Sequence, residues 1–232
     1  MKPMRILTWT AILVLPLFAS LAQAAGPSYI PPDSVNLLVL LAPPPGPHGP
    51  RTSAELGELR HIKAARTPER IALAQADVEE SVFRLMTVFD RPPTAKQVPA
   101  ITALFKKLKA DAAVVTDVAK SGFARPRPYA GANDLAPVCP RSASGAYPSS
   151  HAAEGYVMGI VLSAMVPEKR DPIFARTEEY AESRLVCGLH HRSDIEAGRI
   201  AGTVLAAVAM NNPDFQRDFA VARAELRAAL GL

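Results

Sequence analysis

From about Ser53 onward, apolar residues recur every three or four positions, the period of a helix face. Thr67-Pro68 reads as a helix start, with Thr67 as N-cap and Pro68 in the first position. Val78, Val82, Phe83, Leu85, Met86 and Phe89 then keep helical spacing until the prolines of Asp90 to Thr94 break it. A second helix is expected from about Ala95 to Lys120. Val98, Ile101, Leu104, Phe105, Leu108, Val114, Val115 and Val118 mark its apolar side, and Lys106, Lys107 and Lys109 a solvated face. Gly122 is expected to end it, with Pro126 and Pro128 preventing its return. Further helices are expected over His151 to Met165, Asp171 to Val186, Ser193 to Met210 and Pro213 to Leu230. Ser193-Asp-Ile-Glu196 fits a capping box for the third of these. No strand-rich region and no internal repeat interrupts the series. The pattern predicts an all-α, single-domain helical bundle over 53–232, its active site formed by loops and helix ends at one end.

Two segments precede that domain. Residues 1–24 have the layout of a secretory signal peptide: Lys2 and Arg5, an apolar stretch from Ile6 to Leu21, and the small-x-small site Ala22-Gln23-Ala24. No later apolar run reaches the ~18 residues a spanning helix needs, so no stable membrane insertion is expected after cleavage. Residues 25–52 form a Pro-rich arm with Pro31-Pro32 and Pro43-Pro44-Pro45, which favours extended backbone over helix. Its apolar run Val35 to Leu41 suits docking on the domain or on a second copy of the chain, as in a homo-oligomer.

Composition changes little in this picture. Abundant alanine and 6% aromatic residues favour helix over sheet. The formal charge is +4, and removal of the leader leaves it near +2, with no basic run of interleaved aromatics. Nucleic acid is therefore not an expected partner. Cys139 and Cys187 are the whole thiol complement. In an exported protein they suit a disulfide, and two buried free thiols fit equally well. No Cys/His spacing resembles a zinc site.

Three polar clusters stand out between Lys120 and Asp194. In the first, Lys120 ends a helix and Arg127 sits between two prolines, which suits a stiff anion clamp. In the second, Pro148-Ser149-Ser150-His151 opens a helix, where backbone N–H groups and the helix dipole favour an anion. In the third, Arg184 can grip two phosphate oxygens. His190 can attack phosphorus if one ring nitrogen is free and Asp194 orients the other. Any one cluster alone reads as surface cations, an ordinary N-cap or a solvated loop. Together they suit a phosphoryl group, and so many cations would repel a metal ion.

Read in order, the clusters give Lys120 to Arg127-Pro128, then Pro148-Ser149-Ser150-His151, then Ser183-Arg184 to His190 to Asp194. This resembles the signature K-x6-R-P, P-S-G-H, S-R-x5-H-x3-D of the type 2 phosphatidic acid phosphatase and vanadium haloperoxidase superfamily. The leader, Leu38 to Pro45, Gly145 to Pro148 and Val186 to Asp194 are similar to bacterial class A nonspecific acid phosphatases. The resemblance covers most of the chain after the leader. It implies His190 as the nucleophile that forms a phosphohistidine and Asp194 as its orienting partner. It implies His151 as general acid and then base, and Lys120, Arg127, Ser149, the Ser150 N–H and Arg184 as phosphate ligands. It implies no cofactor and no metal ion.

The expectation is thus a periplasmic acid phosphatase acting on small-molecule phosphate monoesters, active at acid pH and inhibited by vanadate. Its rivals are a lipid phosphatase or a vanadate-dependent haloperoxidase on the same scaffold, and a phosphoester-binding protein without turnover. Ser150 departs from the family glycine. At negative φ the serine costs little; at positive φ it costs roughly 1 kcal/mol. Glu154, one turn past His151, either pairs with it and raises its pKa or faces solvent.

Overall fold

The structure, a computed structural model, describes residues 28–232. The expected leader and the start of the arm lie outside the described residues. Among the described residues all regular structure is helical. In chain order the helices are α1 (Leu37–Leu40), α2 (Pro50–Ala65), α3 (Pro68–Ala76), α4 (Pro99–Phe123) and α5 (Pro128–Gly131). They continue with α6 (Ser150–Met165), α7 (Arg170–Val186), α8 (Arg192–Met210) and α9 (Pro213–Leu230). None of them is long and apolar enough to cross a membrane.

Helix α6 is the centre of the bundle. Its sequence is apolar and small nearly all round, so it has no solvent stripe and packs against α4, α7 and α8. Glycines set how close the neighbours come. A Cβ on Gly202 would lie 2.3 Å from the Ala153 carbonyl oxygen, and one on Gly198 2.6 Å from that of Ser149. Helix α8 therefore meets the α6 backbone directly. The Ser149 N–H then donates to the Asp194 carbonyl at 3.0 Å, locking the two helix starts side by side.

The segment before α2 belongs to the same core. Tyr29, Ile30, Val35, Leu37 and Leu41 are buried in it, whereas Leu38, Val39 and Leu40 are exposed. Tyr29 packs edge-on against Phe215 and lies under the Lys107 ammonium, and its backbone N–H donates to Asp111 at 2.7 Å. Within the Pro-rich stretch the chain makes one helical turn, α1, capped by Asn36. Pro50 then opens α2, three residues earlier than the apolar pattern predicts, because proline fits the first helical position.

Three local expectations differ from the structure. The apolar spacing through Phe89 predicts one helix, but α3 stops at Ala76 and two short 3₁₀ turns follow. The cause is Asp77, whose fully buried carboxylate accepts from Arg84, Arg176 and Ser183. Those donors pin the chain to α7 and turn it out of the helix. Helix α4 runs past Gly122 and ends at Ala124, which takes the left-handed conformation at φ 48°. Gly122 serves packing instead, since its Cβ would lie 2.6 Å from the Leu38 side chain. The box at the start of α8 forms between His191 and Asp194, with Ser193 already inside the helix. The two cysteines are joined, Cα to Cα at 5.2 Å, tying the loop before α6 to the end of α7.

Gly202→Ala is expected to destabilise the protein by about 1–3 kcal/mol through forced separation of α6 and α8. Gly57→Ala, on an exposed face of α2 with nothing near its Cβ, is expected to stabilise by up to about 1 kcal/mol. Urea unfolding of both variants against the parent checks the contrast.

Candidate active site

The bundle brings together the N-termini of α6 and α8 and the C-terminal turns of α4 and α7. Each carries part of the three clusters. Lys120 comes from the last turn of α4, Arg127 from the residue before α5, and Arg184 from the last turn of α7. Ser149 caps α6, Ser150 and His151 open it, and His190 and Asp194 flank the start of α8. Of the eight, only Ser150 is more than slightly exposed. Two helix N-termini thus add their positive ends to three buried cations.

The cations are held by carbonyl groups more than by carboxylates. Lys120 Nζ donates to the Gly145 carbonyl at 3.0 Å. Arg127 donates to the carbonyls of Ser144 and Leu189 at 3.1 and 3.0 Å. Arg184 Nε and Nη1 are buried and have no hydrogen-bond partner within the protein. Burial, with Arg127 nearby, brings Lys120 down to about 8, and burial lowers Arg127 and Arg184 as well. A buried guanidinium with unmet donors is costly. An anion with several acceptor oxygens meets that need.

His190 Nε2 lies 2.7 Å from Arg127 Nη1. Arginine only donates, so Nε2 is the accepting nitrogen and the ring proton sits on Nδ1. Nδ1 faces Asp194 Oδ2 at 3.4 Å, outside good hydrogen-bond alignment. Burial depresses His190 to about 3, the Arg127 and Lys120 charges adding to burial and Asp194 opposing it. His190 is thus a neutral imidazole with its lone pair turned towards the cations.

Asp194 serves more groups than His190. Its Oδ2 accepts from the His191 backbone N–H at 2.7 Å and faces His191 Nδ1 at 3.3 Å. Its Oδ1 accepts from Arg125 Nη1 at 2.5 Å. Burial alone would raise its pKa; contacts from both histidines and the Arg125 charge outweigh that and hold it well below the carboxylate range. Arg125 also donates to Glu55 Oε2 at 2.9 Å and to Ser193 Oγ, and Glu55 Oε1 accepts from the Ser193 N–H. This Glu55–Arg125–Asp194 chain is buried throughout. Arg125 lies inside the first cluster, yet neither spacing nor residue type separates it from a surface cation. Glu55 is 70 positions away in sequence and carries no local signal at all.

His151 lies parallel to the Tyr180 ring, centroids 4.1 Å apart. Its Nδ1 faces Glu80 Oε1 at 3.6 Å and the Tyr180 hydroxyl at 3.5 Å, and its buried Nε2 has no protein partner. Burial takes His151 down to about 4, Arg184 pushing the same way and Glu80 resisting. Ser149 Oγ accepts from the Ala152 N–H at 3.2 Å, so its own proton is free to donate. The first backbone N–H groups of α6 have no partner inside the helix. Ser150 is helical at negative φ, since Ala124 is the one non-glycine at positive φ among the described residues. The serine is unstrained there.

Glu154 neither pairs with His151 nor faces solvent. It is buried, its Oε2 lacks a partner, and burial with Glu80 and Asp117 nearby raises it to about 8. Lys109, expected on a solvated face, keeps a partly exposed side chain and pairs with Glu80 at 2.7 Å. A cleft of about 730 Å³ borders Lys120, Arg127, Ser144 and Gly145. Another, of about 580 Å³, runs between the Pro44–His48 stretch and the loop at Arg125–Pro128.

Residues 102–218 match the PAP2 superfamily. The chain is 30% identical over 211 residues to a non-specific acid phosphatase of Providencia stuartii, covering 83% of this chain and 82% of that one. It is 32% identical over 216 residues to a non-specific acid phosphatase of Salmonella typhimurium, covering 88% and 86%. In fold it is similar to a bacterial vanadium-dependent iodoperoxidase, TM-score 0.57 and 19% identity over 74% of this chain and about half (52%) of that one. It is also similar to a transmembrane phosphatidylglycerolphosphate phosphatase of Bacillus subtilis, TM-score 0.52 and 17% identity over 70% and 86%.

Arg125→Leu would remove the buried cation that bridges Asp194 and Glu55, leaving Glu55 only its longer contact to the exposed Arg51 at 3.5 Å, at an expected cost of about 3–5 kcal/mol near neutral pH. Asp194 and Glu55 both have lowered pKa values. Their contribution is therefore present above the ordinary carboxylate pKa and fades as pH falls through the folded values. The stability gap between parent and variant should be widest near neutral pH and shrink on acidification. Denaturant titrations at several pH values check this.

Proposed function

The chain belongs to the PAP2 superfamily, among the non-specific acid phosphatases, and from that premise we propose that it hydrolyses phosphate monoesters through a phosphohistidine on His190, without a metal ion. The observation that carries this reading is the set of buried, unpartnered polar atoms on Arg184 and His151, beside Lys120 and Arg127 and two helix N-termini. A phosphoryl group brings the acceptor oxygens they lack. The cations and N–H groups supply the charge stabilisation that a metal supplies elsewhere.

In the first step His190 Nε2 attacks phosphorus. Arg127 hands its hydrogen bond from Nε2 to a phosphoryl oxygen, which frees the lone pair. Asp194 stabilises the imidazolium that forms and holds the Nδ1 proton in place. Arg184, Lys120, the Ser149 hydroxyl and the Ser150 N–H take the equatorial oxygens. His151, protonated on Nε2, gives its proton to the leaving alkoxide oxygen as the P–O bond breaks. In the second step His151 Nε2 accepts a proton from water, which attacks phosphorus, and the P–N bond to His190 breaks. Phosphate leaves with both histidines restored. The nucleophile stays neutral down to low pH because burial, with the Arg127 and Lys120 charges adding to it, disfavours its imidazolium.

Export to the periplasm is part of the proposal. The signal-like first 24 residues and the Cys139–Cys187 disulfide both support an oxidising compartment outside the cytoplasm.

The test is release of para-nitrophenol from its phosphate ester across pH, with chelator present. The expected kcat/KM profile is a bell on the acid side. Its rising limb follows loss of the His190 proton near 3 and its falling limb loss of the His151 proton near 4; bound phosphate, being negative, raises both, so the kcat profile lies at higher pH. His190→Ala should lose about 10³-fold or more, and vanadate should inhibit competitively. Loss of turnover on chelation, or a flat profile into alkaline pH, would sink the reading.

A further inference from the structure

Asp194 orients His190 in the proposed mechanism, and the second histidine, His151, needs a group that orients it as well. We infer that Glu80, held by Lys109, is the positioning residue of His151: it fixes the Nδ1–H tautomer and sustains the protonated form that gives a proton to the leaving group. This inference rests on the reading of His151 as general acid and deepens it.

The geometry carries the argument. His151 has two ring nitrogens with opposite surroundings: Nε2 is buried beside the phosphate ligands without a protein partner, and Nδ1 faces a carboxylate, Glu80 Oε1, at 3.6 Å. A carboxylate only accepts, so it selects the tautomer with the proton on Nδ1. When Nε2 is protonated as well, Glu80 is the counter-charge. Two devices fix Glu80. Lys109 from α4 grips its Oε2 at 2.7 Å. The Tyr180 hydroxyl donates to the carbonyl of the preceding residue, Glu79, at 3.2 Å, so the ring stacked on His151 also anchors the loop that carries the carboxylate. The structure thus repeats, around His151, the relation that Asp194 has to His190.

Every element packed against His151 bears on its charge. The loop after α3 contributes Glu80, and Asp77 at the end of α3 acts at longer range. Helix α7 contributes the neutral Tyr180 and the Arg184 cation, which opposes protonation. Helix α4 contributes Lys109 through Glu80, and Glu154 stands one turn along on α6 itself. Of these, Glu80 favours imidazolium most strongly, and it stays ionised in acid because His151 and Lys109 lower it to about 2.

A general acid matters in proportion to how badly the leaving group needs a proton, which separates this role from a structural one. Values of kcat/KM, which report the phosphoryl-transfer step, are compared for an alkyl monophosphate and for dinitrophenyl phosphate, whose phenolate leaves unaided. Glu80→Gln should slow the alkyl ester roughly 10-fold to 100-fold and the dinitrophenyl ester by less than about 3-fold. It should also move the alkaline limb of the profile down by about one pH unit, since removing the counter-charge lowers the His151 pKa. Glu80→Asp, which keeps the charge, should recover most of both effects. NMR titration of the His151 ring in either variant reads the same shift without turnover. Equal losses on both esters with an unmoved limb and ring titration, or no loss at all, would overturn the role of Glu80. His151→Ala serves as the control: if it too fails to discriminate between the esters, the general-acid reading itself falls, and Glu80 with it.

Discussion

The structure depends on burying like charges together. Lys120, Arg127 and Arg184 all lie in the interior at one end of the bundle, and the positive ends of α6 and α8 point to the same place. Such a cluster opposes folding, because each cation loses its hydration and repels the others. The chain offsets this with carbonyl acceptors from the loops at Ser144–Gly145 and Leu189, and with the charge of the buried Asp194 carboxylate, which favours the cationic forms of Lys120 and Arg127. The compensation is incomplete at Arg184. In the proposed reading that deficit is what receives a phosphoryl group, so the stability cost and the proposed binding have one physical origin.

Holding the cluster in register falls to the helix packing behind it. Helix α6 can approach α8 so closely only because Gly198 and Gly202 have no Cβ, and α7 only because Gly155 and Gly159 leave room for Tyr180 and Thr177. The contact is backbone against backbone, and it joins Ser149 to Asp194 by a main-chain hydrogen bond. Small residues in the interior therefore set the spacing of the polar side chains at this end of the bundle.

A second layer of charge surrounds the first. Asp77 collects Arg84, Arg176 and Ser183, Arg125 bridges Glu55 and Asp194, and Lys109 holds Glu80. Each network joins segments remote in sequence and fixes one face of the site. Glu154 is the exception: a buried acid without a strong partner, kept neutral by its surroundings. The structure provides no role for it.

Much of this was legible along the chain. Apolar spacing located α4, α6, α7, α8 and α9 to within a few residues, because each buries a continuous face or, for α6, every face. Thr67, Pro68 and the Pro-Ser-Ser turn marked helix starts through backbone chemistry that is local by nature. The three clusters put eight residues at or near the ends of helices, and the bundle brings those ends together. What stayed hidden was every interaction whose partners are distant. Periodicity carried the α3 helix through Phe89, since it does not register that Asp77 has three donors waiting on other elements. Gly122 looked like a stop signal, and Leu38 made it a packing site. Arg125, Glu55 and Glu80 were indistinguishable from surface charges. Most helices and the chemical types at their ends could be read along the chain, because those follow from local propensity and spacing. The carboxylate that faces His151, Glu80 and not Glu154, came only from the tertiary packing, because burial and partner identity arise when remote segments meet.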